Sequence, residues 1–273
     1  MKVHYTHTLK TEMVTFRDGA ESISGFLALP GGRGRHGGVI ALHEWWGLND
    51  WVKMQATNLA ENGYVVIAVD LYRGKVTDKS SEARKLKSAL SNNRTIREMK
   101  AAFRYLAARP DVDPKHIGSI GWSMGGGFAI RLAIHEPRLA AAVVNYGMPP
   151  TNPIEIQKIS AQVLGNWGML DHGVPPSTVR VFEKIMKTLN KSINIRMYAG
   201  AGHSFENPNN KSGYRPEAAA DAWLRTLDFF TETIKSRNCK FACGETATRE
   251  DSRRSTSERS RLVSDAEMRS KGA

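Results

Sequence analysis

Short, unbroken apolar runs rich in β-branched residues recur along the chain at residues 39–42, 64–69, 116–122, 139–145, 162–166 and 193–198. Each reads as a buried strand. Between and after them lie stretches of helical period, at residues 50–62, 80–90, 95–108, 126–135, 175–189 and 216–234. Asn49 or Asp50 caps the first of these and Gly63 ends it. Ser91-Asn92-Asn93 breaks the second from the third, and residues 110–114 form a loop. Near the start the period changes. Residues 11–17 and 22–29 alternate polar and apolar around Asp18-Gly19, which predicts a hairpin at a sheet edge. Strands that alternate with helices predict an α/β fold with a mostly parallel central sheet flanked by helices on both faces.

In such sheets ligands bind beyond the C-terminal ends of the strands. Glu44, Asp70, Ser123, Tyr146, Asp171 and His203 all follow predicted strand ends. The most informative stretch is Gly121-Trp122-Ser123-Met124-Gly125-Gly126, a G-x-S-x-G between a strand and a helix, the context of a nucleophile elbow. The turn is so sharp that a Cβ two residues to either side of the serine would collide with its neighbours, which explains Gly121 and Gly125. The bland alternative is a tight helix–sheet contact with an incidental serine.

A serine hydroxyl needs a general base, and the base needs an orienting acid. On this elbow the chain order is Ser, then Asp or Glu, then His. Ser123, Asp171 and His203 satisfy it. His135, at a helix end, and His172, beside Asp171, are alternative bases; Asp70 precedes the serine and suits a strand-end cap. Oxyanion donors are expected at the backbone N–H groups of Met124 and Trp45. Trp45, Trp46, Trp122 and Tyr146 either wall an apolar pocket or pack in the core. His43-Glu44 is no zinc motif, because no histidine stands four residues after His43. Gly32-x-Gly34-x-x-Gly37 matches a dinucleotide fingerprint by letter. It leads into a strand, so no helix N-terminus is available for a phosphate. No metal site and no cofactor are expected.

Composition narrows the partners. The 273 residues carry a formal net charge of +12. Eleven Lys/Arg against three Asp/Glu fall between Arg73 and Arg109, either a solvated pair of helices or a field that draws anionic substrates. No nucleic-acid-binding motif accompanies the charge. No apolar run is long enough to span a membrane, and the N-terminus does not read as a signal peptide. The two cysteines, Cys239 and Cys243, make no disulfide framework, which predicts a reduced, cytoplasmic setting. Residues 236–273 turn polar and read as a disordered tail after a single domain over residues 1–235. Cys239-x3-Cys243 lacks the second pair that a metal site needs.

Taken with His43-Glu44-Trp45-Trp46-Gly47-Leu48-Asn49, Asp70-Leu71-Tyr72, Asp171 and Gly202-His203-Ser204-Phe205, the elbow resembles the dienelactone hydrolase family of the α/β-hydrolase fold, over about residues 11–234. The resemblance implies a compact enzyme that opens lactones or small esters without a cofactor. It places Glu44, Trp46, Tyr72, Trp122, Tyr146 and Ser204 around the substrate. It also implies that Glu44 contacts the resting nucleophile. The chain departs from the family twice. Ser123 stands where the well-studied members have cysteine. Asn207 stands where they have the arginine that holds a substrate carboxylate; Arg73 and Arg84 are the candidate substitutes. The expected function is a serine hydrolase of lactones or short-chain esters, with no nucleic-acid or membrane partner, as a monomer or weak homo-oligomer. The alternatives are a broad carboxylesterase without dienelactone activity and a non-catalytic binding protein on the same fold.

Overall fold

In the computed structural model, residues 9–235 are described. The tail expectation and both cysteines lie outside them. The hairpin pairs β1 (Lys10–Asp18) with β2 (Glu21–Leu29) in antiparallel register, Asp18 opposite Glu21. The turn therefore centres on Gly19-Ala20, one residue later than Asp18-Gly19. Gly19 takes φ +60°, which glycine adopts without strain.

Six further strands complete the sheet: β3 (His36–Leu42), β4 (Val65–Val69), β5 (Val112–Trp122), β6 (Ala141–Asn145), β7 (Gln162–Gly168) and β8 (Ile193–Tyr198). Their spatial order is β1-β2-β4-β3-β5-β6-β7-β8. β2 meets β4 antiparallel, and β3 through β8 pair in parallel. Every residue of β3, β4 and β6 is buried, as strands covered on both faces must be. The terminal strands β1 and β8 alternate instead, with one side toward water.

The helices are α1 (Asp50–Glu61), α2 (Ser80–Ser88), α3 (Asn92–Ala107), α4 (Met124–His135), α5 (Pro153–Ile156), α6 (Pro176–Thr188) and α7 (Pro216–Thr233). Asn49 caps α1, accepting the Val52 N–H at 3.2 Å. The predicted break at Ser91-Asn92-Asn93 is shorter than expected. Ser91 caps α3, and both asparagines already belong to its first turn. Likewise β5 begins inside the predicted loop at 110–114, with a register shift against β3 between His36 and Gly38. Gly37, the last glycine of the rejected fingerprint, has a packing role. A Cβ there would strike the Ile234 carbonyl just beyond α7.

Register sets the site. Leu42 lies level with Gly121, Trp122 with Asn145, Asn145 with Asn166, and Gly168 with Tyr198. Parallel strands that end level bring their following loops to one edge. Among the described residues no helix is long and apolar enough to cross a membrane, and no group of His, Cys, Asp or Glu is arranged to hold a metal ion.

Candidate active site

β5 runs into α4 through a single residue. Ser123 has φ 54° and ψ −115°, a conformation that costs an L-residue on the order of 1–3 kcal/mol. The surroundings impose it. The Ser123 N–H donates to the Asn145 carbonyl at 2.9 Å, and the Ser123 carbonyl accepts from Gly127 at 3.1 Å. A Cβ on Gly121 would enter the Gly125 carbonyl, and one on Gly125 would enter the Leu42 carbonyl. Both glycines are thus required where α4 meets β5 and β3. The helix begins at Met124, two residues before the predicted start.

Two loops reach the serine. His203 Nε2 lies 2.7 Å from Ser123 Oγ, and His203 Nδ1 lies 2.7 Å from Asp171 Oδ2. An ionised carboxylate only accepts, so Nδ1 carries the proton and Nε2 is left to accept the serine proton. Asp171 is buried. Its Oδ1 accepts from the Gly173 and Val174 N–H groups at 2.8 and 2.9 Å. Burial pushes its carboxyl up. The His203 hydrogen bond and charge, with the two N–H donors, outweigh that and hold it below the usual range. The Asn210 amide donates to the His203 carbonyl at 3.0 Å, and the Tyr146 ring meets the imidazole edge-on at 5.4 Å. Of the alternative bases, His172 and His135 are both exposed, and neither hydrogen-bonds Ser123.

On the other side, the loop after β3 is fixed by His43. Its buried Nε2 accepts the Leu71 N–H at 3.2 Å, so Nδ1–H donates to the Glu44 carbonyl. Burial lowers its pKa and keeps it neutral. Asp70 caps the neighbouring loop by accepting from the Tyr72 and Gly74 N–H groups. Met124 is the first helical residue, so its N–H has no carbonyl within the helix to bond. The Trp45 N–H donates to no carbonyl among the described residues. Trp45 and Trp46 pack edge-on at 4.9 Å and both line the cleft.

Glu44 does not line it. The carboxylate is 1% exposed. It accepts from Ser204 Oγ at 2.8 Å and from Asn207 Nδ2 at 2.7 Å. Ser204, with φ 55°, and Asn207 thus stand between Glu44 and the cleft. Burial raises the Glu44 carboxyl, and the two neutral donors only partly offset it. Tyr146 is fully buried against the cleft, and its hydroxyl acts on the Glu44 carboxylate; burial first and that carboxylate next raise the phenol well above its usual value. Glu44 is thus neither a pocket residue nor hydrogen-bonded to Ser123, and two further pocket expectations need correction. Tyr72 lies behind the cleft, its hydroxyl 3.4 Å from Met124 Sδ, and burial pushes it up to about 12. Trp122 is 1% exposed and packs on Trp51 at 5.3 Å. Both are large and apolar, and the core takes them.

Sequence reasoning missed Glu206. Trp122 Nε1 donates to its Oε2 at 3.1 Å. The Asn145 amide fits best with its oxygen toward Trp122 Nε1, at 3.0 Å, and its nitrogen toward Glu206 Oε1, at 3.3 Å. Part of the Glu206 surface meets water, yet its carboxyl group is enclosed. That enclosure first, and the Glu44 charge second, push it up to about 8. Only the phase of the loop, two residues after Ser204, hinted at a second inward carboxyl.

Neither Arg73 nor Arg84 replaces the missing arginine. Arg73 pairs with Glu21 and Glu98 at 2.9 and 3.1 Å, and Arg84 is outside the cleft. Much of the basic stretch is neutralised in the same way, Arg104 by Asp18 and Arg109 by Asp111. The cleft itself measures about 1150 Å³.

Comparison with known proteins identifies the family. The model of the dienelactone hydrolase family matches residues 23–234. A Saccharolobus solfataricus protein named "Putative carboxymethylenebutenolidase" is 31% identical over 267 residues, covering 83% of this chain and 100% of the relative. A Bradyrhizobium protein named "Probable 2-oxo-3-(5-oxofuran-2-ylidene)propanoate lactonase" is 29% identical over 235 residues, covering 81% and 94%. The solved structure of the dienelactone hydrolase-like promiscuous phosphotriesterase P91, from metagenomic libraries, superposes with a TM-score of 0.76 at 26% identity, covering 84% and 99%. With the family matched over most of its length and the sheet, elbow and strand-end loops in place, the chain belongs to the dienelactone hydrolase family and has its α/β-hydrolase fold.

Proposed function

We propose that this ester hydrolase of the dienelactone hydrolase family is a serine enzyme that cleaves lactones or short carboxylic esters through an acyl-enzyme. The observation that carries the reading is the unbroken chain Ser123 Oγ, His203 Nε2, His203 Nδ1, Asp171 Oδ2, with both links at 2.7 Å. In the first step Ser123 Oγ attacks the ester carbonyl as His203 Nε2 takes its proton. The Oγ–C bond forms and the carbonyl electrons move to oxygen, toward the N–H groups of Trp45 and Met124. The intermediate then collapses. The C–O bond of the leaving alcohol breaks, and His203 returns the proton to that oxygen. Water repeats the sequence on the acyl-enzyme, releasing the acid and restoring Ser123. Asp171 stays ionised throughout and holds the imidazole in one tautomer.

Glu44 has a passive role in this scheme. It directly precedes Trp45, so a full negative charge on it would oppose an oxyanion at the Trp45 N–H. Burial raises its carboxyl from the usual value, and the Ser204 and Asn207 donors draw its charge toward themselves, away from the Trp45 N–H.

The neutral-ester form of the reading has its own support. Asn207 points at Glu44, and the cations that line the cleft, Lys87 and Arg131, lie on α2 and on the third turn of α4, away from Ser123. Among the described residues no fixed cation stands beside the nucleophile for a small anionic lactone. A non-catalytic binding protein would have no need of the strained serine or of the hydrogen-bonded His203.

The test compares kcat/KM for p-nitrophenyl acetate, a neutral lactone and a dienelactone acid, in the wild type and in Ser123→Ala. Hydrolysis of the neutral substrates at least as fast as the acid, lost in the variant, is the expected result. Full activity in Ser123→Ala would overturn the reading. A strong preference for the acid that salt does not weaken would overturn its neutral-ester form.

A further inference from the structure

The cleft is larger than a lactone or short ester needs. Small-molecule sites commonly fall near 300–1,000 Å³, and this one reaches about 1150 Å³. The excess has a direction. Ser123, Gly127, Ile130, Arg131 and Ile134 line it at the spacing of one helical face. Its floor is therefore α4 itself, from the N-terminus to the last turn. Eight residues separate Ser123 from Arg131, about 12 Å of helix. Trp46 and Met148 wall this run, and Met148 is 49% exposed in a described chain that offers it no cover.

The cations that line the cleft are Arg131 and Lys87, and the carboxylates that line it are Glu155 and Asp78. Arg131 is exposed and has no hydrogen-bond or ion-pair partner among the described residues. Lys100 of α3 and Lys158 act on neighbouring His135 together with Arg131. Burial first, and then these three cations, oppose its protonation, while Glu155, which also lines the cleft, favours it. Lys87 adds a further cation from α2. An apolar trough that begins at a nucleophile and reaches Arg131, a cation with no ion-pair partner among the described residues, matches an acyl group with an apolar body and an anionic tip.

We propose that the trough along α4 binds the acyl part of the substrate, and that Arg131, about two helical turns beyond Ser123, selects esters whose acyl chain ends in a carboxylate. This rests on the reading of Ser123 as nucleophile. It differs from a carboxylate anchor beside the reacting atoms, where Asn207 supplies no charge. Arg131 sets specificity and touches no reacting atom. Its partial exposure keeps the contribution modest and salt-sensitive.

The experiment measures kcat/KM for p-nitrophenyl octanoate and for p-nitrophenyl hydrogen suberate, the same chain with a terminal carboxylate, with p-nitrophenyl hydrogen succinate as the short anionic control. The wild type should use the suberate ester at least as well as the octanoate and better than the succinate. Arg131→Glu should lower the suberate-to-octanoate ratio about ten-fold, since a like charge replaces an attraction. Arg131→Lys should keep most of it, and added salt should shrink the wild-type ratio. An unchanged ratio in Arg131→Glu, or a wild type that prefers succinate, overturns the inference. A neutral long acyl chain is then the occupant if octanoate alone is favoured. Failure of the wild type to hydrolyse p-nitrophenyl acetate would instead sink the Ser123 reading. In that case calorimetric binding of suberic acid monoamide, compared between the wild type and Arg131→Glu, decides the inference by itself: equal affinity overturns it, weaker binding by the variant supports it.

Discussion

Two carboxylates flank the loop that follows β8, and they face opposite environments. Asp171 meets an imidazole and two backbone N–H groups and titrates low. Glu44 meets a hydroxyl and an amide, with no cation in contact among the described residues, and burial raises its carboxyl from the usual value. Both are buried. Burial alone therefore does not assign a role; the partner does. One loop supplies both sets of partners, His203 to Asp171, and Ser204 and Asn207 to Glu44. The charged side orients a base. The other side, whose donors are neutral, props the loop that carries the Trp45 N–H.

The largest expected effect tests the charged side. Asp171→Asn removes the charge and permits the wrong imidazole tautomer, and kcat on p-nitrophenyl acetate should fall by about 10⁴-fold. Ser123→Ala and His203→Ala should lose as much or more, with melting temperatures near that of the wild type. The matching change on the neutral side should be mild. Glu44→Gln keeps an oxygen for one donor, and its kcat should fall less than about ten-fold, the cost of one altered hydrogen bond. A loss at Glu44→Gln as large as at Asp171→Asn would show that Glu44 works as an anion and erase the contrast.

Glu206 sharpens the same contrast through stability. Its carboxyl sits at about 8 in the fold against 4.5 unfolded. Below about 4.5 both states hold the proton. As pH rises toward 8 the unfolded chain gives it up first, so the native state is progressively destabilised. Wild-type melting temperature should drop between pH 5 and pH 9 by several degrees more than that of Glu206→Gln. Parallel curves would mean the carboxyl is ionised throughout. The smallest expected effect concerns substrate charge. Short anionic and neutral esters should differ in kcat/KM by only a few-fold, and the difference should fade with salt, because among the described residues no fixed cation adjoins Ser123.

The sequence made parts of this legible and hid others for physical reasons. The buried strands and the elbow are local: β-branched runs, and glycines where a Cβ has no room. The order of Ser123, Asp171 and His203 followed from topology, since parallel strands bring their ends to one edge. The start of α3 was misjudged because Asn92 and Asn93 favour turns until Ser91 caps the helix. The start of β5 was hidden by Pro114, which an irregular register tolerates near a strand end. Glu206, Asn207 and the inward turn of Tyr72 and Trp122 depend on contacts across the sheet, such as Trp122 with Glu206, 84 positions apart. No spacing rule reports those. The basic stretch misled in the same way, because its partners Asp18, Glu21 and Glu98 come from β1, β2 and its own helix.

The central claim is that Ser123 is the atom acylated during turnover. The direct measurement is to mix the enzyme with p-nitrophenyl acetate, quench in acid within the first turnover, and map the acetyl group by peptide mass spectrometry in the wild type, Asp171→Asn and Ser123→Ala. The account predicts acetyl on the peptide that bears Ser123 in the wild type, slower labelling of the same residue in Asp171→Asn, and none in Ser123→Ala. Acetyl on another residue, with turnover retained in Ser123→Ala, would contradict it.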